Sequence, residues 1–277
     1  MTLSLRNNFF KAGIILAALS LGVAGIGGYF AFPAFPAAAE SAAMRSQGII
    51  QSFIESLAEP SSYIPFWVML AASAYSLICI TLIYFFFEKT QSPEILFIGL
   101  FVLSMLFEFS RLVIPLREIF AFPAVYLIAA FRTLIFGRYF GLFSLFAASV
   151  YASGLDAQKQ HNVFIMMVLA ALIIALNIPV DTLAWDSAFM IFSGYRSMFF
   201  MMETGIFLVT MLTFFISAYT RGSKSYILIG LYAFLAFAGR GILLNSDTWI
   251  TFIPGILLLV LGTWLICARL HGEYLWL

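Results

Sequence analysis

Eight apolar runs divide this 277-residue chain, each close to the 20 or so residues that a helix needs to cross a bilayer. They cover roughly 12–32, 63–87, 95–116, 122–150, 163–180, 197–219, 225–244 and 249–268. Lipid offers no water to satisfy backbone N–H and C=O groups, so each run has to close its own helical hydrogen bonds. Composition points the same way. The chain is 63% hydrophobic and 10% charged, with a mean hydropathy of +1.04, whereas soluble domains carry about 25% charged residues. The sequence therefore predicts an all-α integral membrane protein, a bundle of eight transmembrane helices with short loops. A net charge of +1 supplies no broad basic surface for nucleic acid.

Three stretches follow: an N-terminal helix or signal anchor over 1–32, an extracytoplasmic segment over 33–61, and a seven-helix bundle over 62–277. Arg6 and Lys11 precede the first apolar run, and Ala37-Ala38-Ala39 resembles a cleavage site, but the run is longer than the 7–15 residues of a signal core. A retained helix is expected; cleavage would leave seven spans. Within 33–61, Ile49, Ile50, Phe53, Ile54 and Leu57 share one helical face, which predicts an amphipathic helix over 46–58, lying on the outer membrane surface, lidding the bundle, or serving only as a packed connector. Lysine and arginine set the orientation. Seven (Arg6, Lys11, Lys89, Lys159, Arg221, Lys224, Arg269) fall on the side of the termini and three (Arg45, Arg117, Arg196) on the other. Both termini are therefore expected in the cytoplasm, and the short loops and lack of sorting signals point to a bacterial inner membrane.

Five ionisable residues interrupt the apolar runs: Glu108, Arg111, Arg132, Glu203 and Arg240. A charge near the bilayer centre costs about 2.5–3.5 kcal/mol even on the lenient insertion scale, so such residues pair, line a wet cavity or serve a function. Counting about 1.5 Å per residue from the span ends puts all five near or above mid-depth, on four helices. Arg111 is one turn from Glu108 on the same face. Two carboxylates and three guanidiniums leave one positive charge over, and a guanidinium fork suits a carboxylate or phosphate. The candidates are a charge network that fixes packing, a polar pocket in the outer half that takes a small anionic ligand, or an ion path through the glutamates. Arg138, beside Gly137 and followed by Gly141, is expected deeper, in a separate contact. The G-x-x-x-G spacing of Gly137 and Gly141 permits close helix packing. Trp67, Trp185, Trp249 and Trp276 sit near span ends as interfacial anchors do, while Trp264 is expected to be packed.

Much chemistry lacks its residues. The two histidines, His161 and His271, lie outside the runs, so the sequence carries no paired haem ligands, no H-E-x-x-H zinc motif and no intramembrane protease histidine. Glu108 and Arg111 alone do not make such a protease. Cys79 and Cys267 lie in apolar runs and form no metal pair. Neither a catalytic pair nor a cofactor site is predicted.

In layout, the seven spans after the first resemble the seven-helix sensor modules of bacterial signalling proteins. The likeness is architectural, and no family follows from it. The expected function is non-enzymatic: sensing a ligand, or assembling with a partner membrane or signalling protein. The alternative is a small secondary transporter that uses the intramembrane Glu and Arg residues.

Overall fold

The computed structural model describes residues 3–40, 60–90, 92–180, 183–192 and 196–275. The amphipathic segment expected over 46–58 lies outside them. Among the described residues eight helices are long and apolar enough to cross a membrane, and the chain is an all-α, multi-pass membrane protein.

The first span, α1 (Leu3–Ala31), buries Phe10, Gly13, Ala17, Ser20, Ala24, Gly28 and Ala31, a stripe of mostly small residues spaced three or four apart. Small residues let helix backbones approach where lipid gives no hydrophobic drive for association. A 3-10 turn (Phe32–Ala34) leads into α2 (Phe35–Glu40). The stripe of α1 packs on α3 (Ile64–Phe87), with the Ser20 and Ser73 hydroxyls 3.2 Å apart. Arg6 donates to the carbonyls of Phe87 (2.6 Å), Glu88 (3.0 Å) and Thr90, at the negative end of the α3 dipole.

The third span is the most buried and is not one helix. It consists of α4 (Pro93–Ser104), a 3-10 stretch (Met105–Leu112) and α5 (Val113–Phe120). Ser92 caps α4 by accepting from the Ile95 N–H, and Pro93 begins it. At Ala121 the backbone turns left-handed (φ 47°), and Pro123 precedes α6 (Ala124–Ala152). Eight consecutive 3-10 residues are unusual, because such runs rarely exceed four.

Helix α6 lies along the third span through the two glycines of its G-x-x-x-G. A Cβ at Gly137 would strike Phe107, and one at Gly141 would strike Ser104 and lie 2.9 Å from Arg240 Nη1. Helices α7 (Gln160–Asn177) and α8 (Arg196–Arg221) flank α6 and leave most of their surface exposed. Helices α9 (Ser225–Leu244) and α10 (Trp249–Leu275) meet backbone to backbone; at Gly262 a Cβ would come within 2.5 Å of the Ala236 nitrogen. The start of α1 and the end of α10 lie at the Phe87 end of α3, the terminal end of the bundle.

At the opposite end residues 183–192 form a hairpin, with an antiparallel bridge between Trp185 and Ile191. One Asp186 oxygen accepts from the N–H groups of Ala188 (3.0 Å) and Met190 (2.9 Å) and holds the turn. Phe189, at φ 55°, is 1% exposed and packs 5.5 Å from the Phe35 ring. Ser187 donates to Asp247 Oδ2 at 2.7 Å and ties the hairpin to the α9–α10 connection. The hairpin folds into the bundle end instead of standing above it.

Candidate functional site

The 3-10 stretch builds the centre of the site. At three residues per turn, positions i and i+3 eclipse. Glu108 and Arg111 therefore stand one above the other, with Arg111 Nη2 2.6 Å from Glu108 Oε2. Both residues are buried, Arg111 at 2% exposure. Arg111 also donates to the carbonyls of Leu244 (2.8 Å) and Ala188 (3.1 Å). Leu244 is the last residue of α9, so its carbonyl belongs to the negative end of a helix dipole, a good neighbour for a cation.

Arg138 joins this group, contrary to the separate contact expected for it. Its Nε lies 3.8 Å from Glu108 Oε1, and its Nη2 donates to Leu244 O at 3.5 Å and to Met190 Sδ at 3.4 Å. The expectation failed because α6, with 29 residues, overhangs the membrane core. At about 1.5 Å per residue it is about 43 Å long against a core of about 30 Å, and Arg138 is its middle residue. Arg240 reaches across from α9, donates to the Arg138 carbonyl at 2.9 Å and the Gly137 carbonyl at 3.3 Å, and lies 5.7 Å from the Phe101 ring centroid. Gly141 leaves room for that guanidinium.

Of the five predicted residues, the structure thus brings together Glu108, Arg111 and Arg240. Arg132, two turns before Arg138, and Glu203, half-buried on α8, make no ion pair or hydrogen bond among the described residues. Glu203 lies within electrostatic range of Arg240 and Tyr139. Three guanidiniums therefore gather around Glu108, which pairs directly with Arg111 and Arg138, while Asp186 lies within electrostatic range of Arg111. Among the described residues the Nε–H groups of all three and the fully buried Tyr139 hydroxyl have no hydrogen-bond acceptor, and Glu108 Oε2 has its ion pair with Arg111 but no hydrogen bond. A buried donor left unmatched costs about 1–3 kcal/mol, so this centre is rich in unmet donors.

Access runs toward the hairpin. A space of about 10 Å³, lined by Ser110, Arg111, Phe131 and Phe189 among others, adjoins the cluster. That is at the lower limit for one water. The hairpin closes the end at which the sequence predicted an open pocket, and it supplies neutral acceptors, Ala188 O and Met190 Sδ, to two of the arginines. Sequence reasoning missed the hairpin, Arg138 as a member, and Tyr139. A second charge contact lies at the terminal end, where exposed Arg221 is 3.7 Å from buried Glu94 and donates to Tyr226 Oη (2.8 Å) and Tyr151 O (3.1 Å). It ties α4, α6, α8 and α9 together. Among the described residues no group of three His, Cys, Asp or Glu is placed to hold a metal.

No known family profile matches this chain, and a search of curated proteins finds no relative.

Proposed function

We propose that this protein is a non-enzymatic membrane module in which Arg111, Arg138 and Arg240 form a receptor for an anionic group, closed at rest by the 183–192 hairpin. The supporting observation is the set of unmatched buried donors: among the described residues the Nε–H groups of Arg111, Arg138 and Arg240 have no hydrogen-bond acceptor. A carboxylate or phosphate entering at the hairpin end replaces the Ala188 carbonyl and the Met190 thioether as acceptor. Charge-assisted hydrogen bonds are about twice as strong as neutral ones, and a planar fork takes such oxygens in pairs. Displacing the hairpin shifts its Ser187–Asp247 tie to the α9–α10 connection, a route by which occupancy reaches a partner membrane or signalling protein. The lysine and arginine bias supports cytoplasmic termini, and the short loops without sorting signals support a bacterial inner membrane.

The test is thermal unfolding in mild detergent with succinate, glutamate, inorganic phosphate or sulfate, on the wild type and on Arg138→Gln. At a hundredfold excess over Kd a bound anion stabilises by about 2.7 kcal/mol. Stabilisation of the wild type alone is the expected result; an anion effect in neither protein, or the same effect in both, sinks the proposal.

A second reading, a secondary transporter, is favoured by one observation: the charged span is interrupted by 3-10 backbone at the level of Glu108 and Arg111. Interrupted helices at mid-membrane are where transporters place their substrates. Uptake of the same anions into proteoliposomes distinguishes it, since a sensing module gives none.

A further inference from the structure

Away from the arginine cluster, a groove of about 370 Å³ runs between α3 and α10. Its walls include Tyr75, Cys79 and Phe87 on α3 and Thr263, Cys267 and His271 on α10. Trp264, expected to be packed, is 56% exposed and forms part of this wall, because α10 touches α3 over little of its length.

Three features define what fits. The groove extends from Tyr75 to Phe87, twelve residues or about 18 Å of helix, close to the 15 Å or so of one leaflet's hydrocarbon. A partner transmembrane helix needs a surface that continues across the whole core of about 30 Å, and the groove ends halfway. Its deep end is polar but satisfied. Thr263 gives its hydroxyl proton to the Leu259 carbonyl (2.9 Å), so Tyr75 donates to Thr263 Oγ1 at 2.6 Å, and neither group is left for a guest. A quinone or other polar ring placed there would bury acceptors without donors. Only hydrocarbon suits the interior.

The open end lies at the terminal end of the bundle and has the opposite character. The His271 ring stands edge-on to Phe87 at 5.3 Å and to Phe86 at 6.2 Å. Exposed Lys89 and Arg269 lie close in sequence to Phe87 and His271, while Glu88 is engaged by the Tyr84 hydroxyl at 3.3 Å. Imidazole and cations complement a phosphate. We infer that this groove is a lipid site: it takes one acyl chain of a phospholipid from the leaflet at the terminal end, with the phosphate beside His271.

Cys79 and Cys267, the only cysteines in the chain, both line the groove and report its occupancy. The first arm is native mass spectrometry of the full-length protein released from its membrane in mild detergent. Wild type is expected to retain one phospholipid, and Ala268→Trp, which fills the groove from an exposed position, to lose it by about tenfold. The second arm needs no variant. Delipidated wild type is alkylated with a membrane-permeant maleimide before and after dioleoyl phosphatidylglycerol is added back, and added lipid is expected to slow modification of both cysteines by about tenfold. Wild type free of lipid, undiminished lipid on Ala268→Trp, a protein chain in place of the lipid, or equal alkylation rates would each overturn the inference.

Discussion

Arg111 donates to the carbonyl of Leu244 at 2.8 Å, which fastens the 3-10 stretch of the third span to the C-terminal end of α9. The same guanidinium holds Glu108 and the hairpin residue Ala188, so one side chain joins three parts of the fold. Removing a partner from a buried ion pair leaves an uncompensated charge, at about 3–5 kcal/mol. Glu108→Gln and Arg111→Leu are each expected to lower unfolding stability in detergent by that order. The Glu108→Gln/Arg111→Leu double variant should lose less than the sum, and strict additivity in the double-mutant cycle would show that the pair is not coupled.

The two glycines of α6 make a sharper packing test. Gly141→Val drives methyl groups into Ser104 and toward the Arg240 guanidinium, and overpacking of this kind costs about 1–3 kcal/mol. Gly25→Val, with nothing near its Cβ position, is the matched control on α1. Circular-dichroism melts should separate the two variants clearly.

Arg6 gives α1 a role that a removed leader does not have. With its guanidinium on the carbonyls of Phe87, Glu88 and Thr90, α1 is expected to remain in the mature protein. The intact mass of protein purified from the membrane should include residues 6–39, and a mature chain starting at Glu40 would contradict this. Arg6→Ala should cost about 1–2 kcal/mol through the lost end-of-helix bonds.

Asp186 holds the hairpin closed by accepting two backbone N–H groups. Asp186→Ala is expected to loosen residues 183–192 and to remove a carboxylate that lies within electrostatic range of Arg111. A lid that opens more readily raises apparent affinity, because more of the protein is binding-competent. The variant should therefore bind the anion that stabilises the wild type more tightly, as measured by calorimetry.

Span number and position were legible because a run of about 20 apolar residues has few other uses. The i, i+3 relation of Glu108 and Arg111 was legible as well, since it holds in α-helix and 3-10 alike. The 3-10 break was not, because Met105–Leu112 contains neither glycine nor proline to mark it. Depth counted from span ends misplaced Arg138, since helix overhang and a long side chain together shift a charge by more than one turn. The hairpin escaped notice because its order comes from tertiary contacts: Phe189 under Phe35, Ser187 on Asp247, Ala188 on Arg111. Trp264 was misjudged because an apolar residue in a span can face lipid as readily as protein.

The most direct measurement is hydrogen exchange at the amides of Ala188–Ile191, in wild type and Arg138→Gln, with and without the anion that stabilises the protein. If the arginine cluster receives that anion by displacing the hairpin, exchange there rises on addition in the wild type and does not change in the variant. If the anion stabilises the protein while these amides exchange at the same rate in both, the cluster is a packing network and the anion binds elsewhere.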